Sequence, residues 1–159
     1  KELFTHPLAG RLIRSYGGHP LNREGVDVAA YRWAIDLLKT DGTLVLFPEG
    51  SRSPGGMRLA RDGATHIALV SQAPILPIGI TGTEGFGTWA NVFFPNARIR
   101  VNIGRAFTLP HIEGRPNREV LRSLTRMMME RVAMLLPPEY RGEYGKSTAT
   151  QPELAAVVD

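Results

Sequence analysis

An uninterrupted apolar run, L-V-L-F at 44–47, constrains the fold of this chain more than any other feature of its sequence. The turn-forming pair Asp41-Gly42 precedes the run and Pro48 follows it, so the run is too short for a helix and is bounded as strands are. Because consecutive rather than alternate residues are apolar, both faces of a strand at 43–47 are expected to be covered, as in central parallel strands. A buried strand of this kind holds the loop that follows it rigidly.

Helical patterns alternate with strand patterns along the rest of the chain. Apolar residues recur every three or four positions in 26–39 and again in 117–136, which predicts two amphipathic helices packed on a sheet. Asn117 is the predicted N-cap of the second helix. Shorter helices are predicted at 7–16 and 62–72.

Two strands complete the predicted sheet, at 75–81 and 98–104. Pro77 cannot donate a ladder hydrogen bond, so the first of these strands is expected to lie at an edge or to carry a bulge. The predicted fold class is α/β, with a mixed, largely parallel sheet covered by helices. One domain is expected at 1–145, followed by a polar, disordered tail at 146–159.

The loop after the apolar run concentrates the polar groups that can carry chemistry. Its sequence, F-P-E-G-S-R-S at 47–53, places a carboxylate, two hydroxyls and a guanidinium in one tight turn. Ligands bind beyond the carboxyl ends of strands in open α/β sheets, and the planar fork of Arg52 suits phosphate or carboxylate oxygens. The alternative interpretation is structural, with an ion pair between Glu49 and Arg52 bracing the turn.

This heptapeptide resembles the hallmark F-P-E-G-T-R-S block of the glycerolipid acyltransferase family, which includes the lysophosphatidate acyltransferases; Ser51 stands at the usual threonine and keeps the hydroxyl. The segment G-G-H-P-L-N-R at 17–23 looks like the family's second block, and A-P-I-L-P-I-G-I at 73–80 looks like its fourth. The opening K-E-L-F resembles the basic stretch before the second block. The matches cover about residues 1–83 in the family's order, and this order makes the resemblance specific.

The resemblance implies the sandwich fold of these acyltransferases and a reaction in phospholipid biosynthesis. A fatty acyl group would pass from acyl-CoA or acyl carrier protein to the free hydroxyl of a lysophospholipid, with 1-acylglycerol-3-phosphate as the foremost acceptor. No metal or redox cofactor is expected. Arg52 and Arg23 are the implied ligands of the acceptor phosphate, with Lys1 as a weaker third.

The other residues of the hallmark block have implied roles beside the arginines. Glu49 is expected to position the glycerol backbone or to hold an arginine rather than to act as a base, because a neighbouring guanidinium lowers the basicity of a carboxylate. Gly50 permits the backbone to turn close to the ligand. Ser51 is grouped with them as a substrate-binding residue.

The family's first block, H-x4-D, is missing from this sequence. It supplies the histidine that acts as general base and the aspartate that orients it, and the nearest pair here is His19 with Glu24. That pair lies inside the second block, whereas the first block precedes the second in the family's order. We therefore expect no catalytic residue in this chain and expect the H-x4-D pair in a segment upstream of Lys1. If the chain does carry a catalytic pair of its own, His19 and Glu24 are the residues that would substitute for it.

Composition restricts the remaining functional classes. The 159 residues carry 19 basic and 15 acidic side chains, a net charge of +4, so attraction to anions is expected to be modest. The absence of cysteine excludes disulfides, a thiol nucleophile and thiolate metal sites. No stretch reaches the ~18 to 20 apolar residues that cross a bilayer, so this portion of the chain is expected to span no membrane. The resemblance to the acyltransferases implies a peripheral protein on the cytoplasmic face of a membrane.

Arginines spaced by four form a basic stripe on the helix predicted at 117–136. Arg118, Arg122 and Arg126 are expected either to face solvent or to lie against anionic lipid headgroups.

Three other functions stay open at this point. A nucleic-acid module would explain the arginines, but the sequence offers no aromatic platform or zinc pattern, and we expect no nucleic acid partner. A serine hydrolase would use Ser51 or Ser53, neither of which lies in G-x-S-x-G. A catalytically silent fragment that binds lipid phosphate differs from the acyltransferase only in the missing first block.

Overall fold

A computed structural model describes residues 11, 15, 17–19, 27–51, 53, 55–83, 98–114 and 116–147. The chain divides into two compact units, Lys1–Val45 and Leu46–Asp159, and each is described by itself. Within the predicted helix at 7–16 only two residues are described, both of them helical. The predicted tail lies outside the described residues from position 148 onward.

The first unit contains helix α1, Val28–Lys39. The side chain of Asp27 caps this helix by accepting a hydrogen bond of 3.0 Å from the backbone N–H of Ala30. Ala30, Ala34 and Ile35 are buried on one side of α1. The helix predicted at 26–39 is therefore confirmed, with its first turn beginning after the aspartate.

The strand predicted at 43–47 is wrong for the described structure. These residues form no strand, and the side chains of Val45 and Phe47 are 74% and 75% exposed. A strand exists only through backbone hydrogen bonds to a neighbouring strand, and no segment among the described residues pairs with this run. The expectation that both faces of the run are covered fails for the same reason.

The second unit places helices against a small sheet. Strands β1, Ile78–Thr81, and β2, Arg100–Ile103, pair in the antiparallel direction. The other elements of the unit are helix α2 at Gly63–Ser71, helix α3 at Arg118–Ala133, and two 3-10 helices at Pro138–Tyr140 and Gly142–Ser147.

One face of the sheet packs against the end of α3. The Asn102 side-chain amide donates a 2.7 Å hydrogen bond to the carbonyl of Leu135. A Cβ on Gly79 would lie 2.9 Å from Leu136, so glycine allows this close approach. The helix-on-sheet layering of the predicted α/β class is present, while the parallel pairs of the expected mixed sheet do not occur in the part of the chain that the structure describes.

The opposite face of the sheet is exposed in the described part of the chain. Residues that pair directly in an antiparallel ladder share a face, and Ile78 pairs with Ile103 while Ile80 pairs with Val101. All four side chains are 41–63% exposed. The described residues therefore cover this sheet from one side.

Pro77 interrupts the ladder as the sequence predicts. Ile75 pairs with Phe107, and the next pair joins Ile78 to Ile103. Two residues separate these pairs on the strand with Pro77 and three on the other strand, so the bulge lies on the strand opposite Pro77. The Pro77 carbonyl still accepts a 3.0 Å hydrogen bond from the backbone N–H of Gly104.

Helix α3 provides the core of the second unit. Asn117 caps it as predicted, accepting a 2.8 Å hydrogen bond from the N–H of Val120. Met128 and Met129 are 5% and 2% exposed, so the methionine run fills the core as expected. The core cluster comprises Met57, Met128, Met129, Ala133, Leu136 and Tyr144.

A hydroxyl bridge fixes helix α2 to helix α3. Thr65 and Thr125, both fully or nearly fully buried, share a 2.8 Å hydrogen bond. Thr125 also lies within 2.9 Å of the carboxylate of Asp62, the residue before α2. These buried polar groups are satisfied by one another, which orients the start of α2 against the middle of α3.

The two 3-10 helices close on the segment at 56–60. The backbone N–H of Met57 donates to the carbonyl of Tyr140 at 2.9 Å, and the carbonyl of Met57 accepts from Glu143 at 3.0 Å. Gly142 has a φ of +45°, and a Cβ there would lie 2.1 Å from the Met57 carbonyl oxygen. Only glycine fits between these backbones.

Gly142→Ala is expected to destabilise the protein by about 2 kcal/mol or more, because it adds left-handed strain to a backbone clash. Denaturant unfolding measures this change. Gly63→Ala is the matched control, since a Cβ there meets nothing within 4 Å at the start of α2. Equal stability of the two variants would contradict the close packing of Gly142 against the backbone of Met57.

Candidate functional site

The loop at 47–53 turns sharply after its first residue. The N–H of Gly50 donates a 3.0 Å hydrogen bond to the carbonyl of Phe47, and Gly50 has a φ of +68°. This left-handed conformation favours glycine, and it leaves the backbone open to approach from outside. The backbone therefore turns sharply at Gly50, while its expected role beside a ligand stays a prediction.

Glu49 joins the loop to the segment that follows it. Its Oε2 atom accepts a short hydrogen bond from the Ser53 hydroxyl and a 2.7 Å hydrogen bond from the backbone N–H of Arg58. The carboxylate is half-buried and bonds residues four and nine positions later in the chain. It therefore closes the loop into a ring of fixed size.

Two arginines that the sequence analysis did not select lie beside this ring. The Nη1 atom of Arg58 lies 3.4 Å from the Ser51 hydroxyl oxygen. The guanidinium of Arg61 lies against Gly50, with Nε 3.5 Å from the position that a Cβ would take. Both side chains are exposed. No spacing rule marks these arginines in the sequence, because they belong to an irregular segment between the loop and α2.

Tyr144 supports the same segment from the core. Its hydroxyl oxygen accepts a 2.9 Å hydrogen bond from the backbone N–H of Ala60, 84 residues earlier. Burial raises the pKa of Tyr144, and the negative charge of Glu49 acts in the same direction. The neutral phenol is therefore the form that the fold prefers.

The structure brings together three of the residues that the sequence predicted for the site. Glu49, Gly50 and Ser51 share the ring, with the Ser51 side chain exposed. Four other predicted residues, Lys1, Arg23, Glu24 and Arg52, lie outside the described residues. Their expected roles stay predictions.

His19, the substitute catalytic residue, lies in the first unit. Its ring stacks on that of Trp33 in α1, with centroids 4.2 Å apart and planes 13° from parallel. This contact gives the histidine a structural partner. Its expected partner Glu24 falls outside the described residues.

A separate surface cleft of about 210 Å³ lies elsewhere in the second unit. It contains no residue of the loop at 47–53 and is lined by His66, Leu69, Val70, His111, Ile112, Gly114 and Pro116. The described residues hold no group of three or more histidine, aspartate or glutamate side chains placed to bind a metal. None of the described helices has both the length and the apolar character that crossing a membrane requires.

Comparisons with known proteins assign the family. A family model for acyltransferases matches residues 1–81, which include the loop with Glu49 and the segment with Arg58 and Arg61. This chain belongs to the acyltransferase family.

Two relatives carry the name 1-acyl-sn-glycerol-3-phosphate acyltransferase. The protein from Streptococcus pneumoniae is 37% identical over 83 residues, which are 52% of this chain and 30% of the relative. The protein from Bacillus subtilis is 26% identical over 135 residues, which are 85% of this chain and 65% of the relative.

A solved structure shares the fold. The crystal structure of the 1-acyl-sn-glycerophosphate acyltransferase PlsC from Thermotoga maritima matches with a TM-score of 0.56 at 24% identity, over 96% of this chain and 56% of that one. The predicted α/β acyltransferase fold class is confirmed by this likeness. The chain spans between about a third and two thirds of the lengths of these three proteins.

Tyr144→Phe removes the acceptor for the Ala60 N–H and is expected to cost about 1–3 kcal/mol of stability at neutral pH. The folded pKa of Tyr144 is raised above the unfolded value near 10, so its contribution is complete below pH 10 and disappears as pH rises through the folded pKa. The stability difference between the wild type and Tyr144→Phe should therefore narrow above pH 10. Urea unfolding from pH 8 to pH 11 measures it, and a constant difference would contradict the assignment.

Proposed function

We propose that this chain forms the acceptor-binding part of an acyltransferase that acts on a lysophospholipid, with 1-acylglycerol-3-phosphate as the acceptor. The hydroxyl oxygen of the acceptor attacks the carbonyl carbon of a fatty acyl thioester, an ester bond forms, and the carbon–sulfur bond breaks. The hydroxyl loses its proton to a general base, which then passes the proton to the released thiolate. The acyl donor is acyl-CoA or acyl carrier protein.

The ring closed by Glu49 is the observation that carries this proposal. It fixes an exposed serine hydroxyl, an accessible glycine backbone and two arginines within one short segment of a family member. Such a set binds and orients an anionic group, and orientation of reactants contributes ~7 to 11 kcal/mol to catalysis in favourable cases. The names of the two relatives, both 1-acyl-sn-glycerol-3-phosphate acyltransferases, support a phosphate-bearing acceptor.

The position of Glu49 favours a structural role over general base catalysis. Its Oε2 atom already accepts hydrogen bonds from the Ser53 hydroxyl and the Arg58 N–H, so these donors occupy the oxygen that a base would turn to the substrate. The proton acceptor in this proposal is the histidine of an H-x4-D block, which this chain lacks. A catalytically silent lipid-phosphate-binding fragment is therefore the second candidate for the chain by itself.

The proposed partners follow from the reaction. We infer a peripheral site on the cytoplasmic face of a membrane, where lysophospholipid is available, and no nucleic acid partner. Arg118 and Arg122 are exposed on α3, which is compatible with the basic stripe, while Arg126 forms a 3.0 Å ion pair with Glu130. An exposed arginine near anionic lipid gains about 1 kcal/mol.

In the full-length protein, Arg52→Ala is expected to raise the KM for a phosphate-bearing acceptor by about tenfold or more while the KM for the acyl donor changes little. The reason is that a charge-assisted hydrogen bond to phosphate contributes about 1.5–3 kcal/mol. Steady-state kinetics with each substrate varied in turn measures both constants, with Arg100→Ala, at an exposed position on β2, as the matched loss of charge. Equal changes in the two KM values would remove the phosphate role from Arg52.

A further inference from the structure

Arg58 and Arg61 flank the same two residues of the loop. The guanidinium of Arg58 reaches the Ser51 hydroxyl at 3.4 Å, and that of Arg61 lies over Gly50, where a Cβ would come 3.5 Å from Nε. Both belong to the second unit, and both are exposed. Two positive side chains therefore converge on a stretch of backbone that carries one small hydroxyl and no bulky group.

Neither guanidinium is neutralised by a carboxylate of the described chain. Among the described residues, an ion pair forms between Arg126 and Glu130 in α3, and it involves neither Arg58 nor Arg61. Glu49 is close in sequence, but it binds the backbone N–H of Arg58 and the hydroxyl of Ser53 rather than either guanidinium. Two like charges beside one dipeptide repel each other, and an anion between them relieves that repulsion.

The backbone that carries the two arginines is held at three points. The N–H of Arg58 donates to Glu49 at 2.7 Å, and the N–H of Arg61 donates to the carbonyl of Pro48 at 2.9 Å. Between them, the N–H of Ala60 donates to the buried phenol of Tyr144 at 2.9 Å. A ligand therefore meets a segment already ordered, which lowers the entropy lost on binding.

We propose that Arg58 and Arg61 form a phosphate-binding pair in addition to the residues of the hallmark block. Each guanidinium can donate to phosphate oxygens, and the missing side chain at Gly50 lets the Arg61 guanidinium lie close to the loop backbone. This inference rests on the proposed function and extends it. The phosphate is either that of the acceptor headgroup or one of those on coenzyme A.

The test uses the full-length protein with Arg58→Ala, Arg61→Ala and the double variant. Arg100→Ala, an exposed arginine on β2, is the matched loss of charge. The KM is measured for lysophosphatidate and, separately, for acyl-CoA and acyl carrier protein as donors. Arg58→Lys and Arg61→Lys keep the charge but lose the planar fork, so they should restore part of the affinity.

Each alanine variant is expected to raise one KM by about ten- to hundredfold with little change in kcat, as loss of a charged hydrogen bond does. A rise in the lysophosphatidate KM assigns the pair to the acceptor. A rise in the acyl-CoA KM with no rise for acyl carrier protein assigns it to the phosphates of coenzyme A. All three KM values unchanged relative to Arg100→Ala would overturn the proposal.

An equilibrium measurement separates this inference from the proposed function. Binding of the wild type and the double variant is compared on neutral phospholipid vesicles containing either lysophosphatidate or monoacylglycerol, and by titration with coenzyme A. If the wild type transfers no acyl group, the proposed function fails, while phosphate-dependent binding that is lost in the double variant still supports the pair. Identical binding by both proteins in every arm would contradict the pair even where acyl transfer occurs.

Discussion

The hydrogen bonds of one carboxylate oxygen organise the region around the hallmark loop. Oε2 of Glu49 receives the Ser53 hydroxyl from within the loop and the Arg58 N–H from the segment beyond it. These bonds determine where Ser51 is presented and where the Arg58 side chain begins. Removal of such an acceptor leaves a backbone donor unsatisfied, which costs about 1–3 kcal/mol where the group is shielded from water. This closure therefore positions Ser51 and Arg58 relative to each other.

The core of the second unit reaches this loop through residues distant in sequence. Met57 is buried among the methionines of α3, and its backbone is bonded on both sides by the 3-10 helices that follow α3. Tyr144 then holds Ala60, between the two arginines. The packing of residues near the end of the described chain thus positions a loop near residue 50. Substitutions at Met57 or Tyr144 are expected to change the position of the loop, although neither residue would contact a ligand.

The success of sequence interpretation varied with how local each signal is. The cap at Asn117 and the bulge across from Pro77 follow from residue chemistry within a few positions, and the structure has both. The prediction of a strand at 43–47 is wrong because a strand needs a partner strand, and the apolar pattern of a sequence does not show whether a partner is present. The Tyr144 bond spans 84 residues and has no sequence signature. The sequence did not predict Arg58 and Arg61 as site residues, because exposed arginines are common. Only the folded turn at Gly50 shows that both arginines lie beside the loop.

The most direct test of this account is the activity of Glu49→Gln in the full-length protein. Glutamine keeps an oxygen that can accept the hydrogen bonds from Ser53 and Arg58 but cannot take up a proton as a base. If Glu49 closes the loop, Glu49→Gln retains kcat within about tenfold, while Glu49→Leu, which accepts neither bond, loses far more. General base catalysis is worth about 10²–10⁴ in rate. A thousandfold loss of kcat in a folded Glu49→Gln protein would contradict the account and make Glu49 a catalytic base.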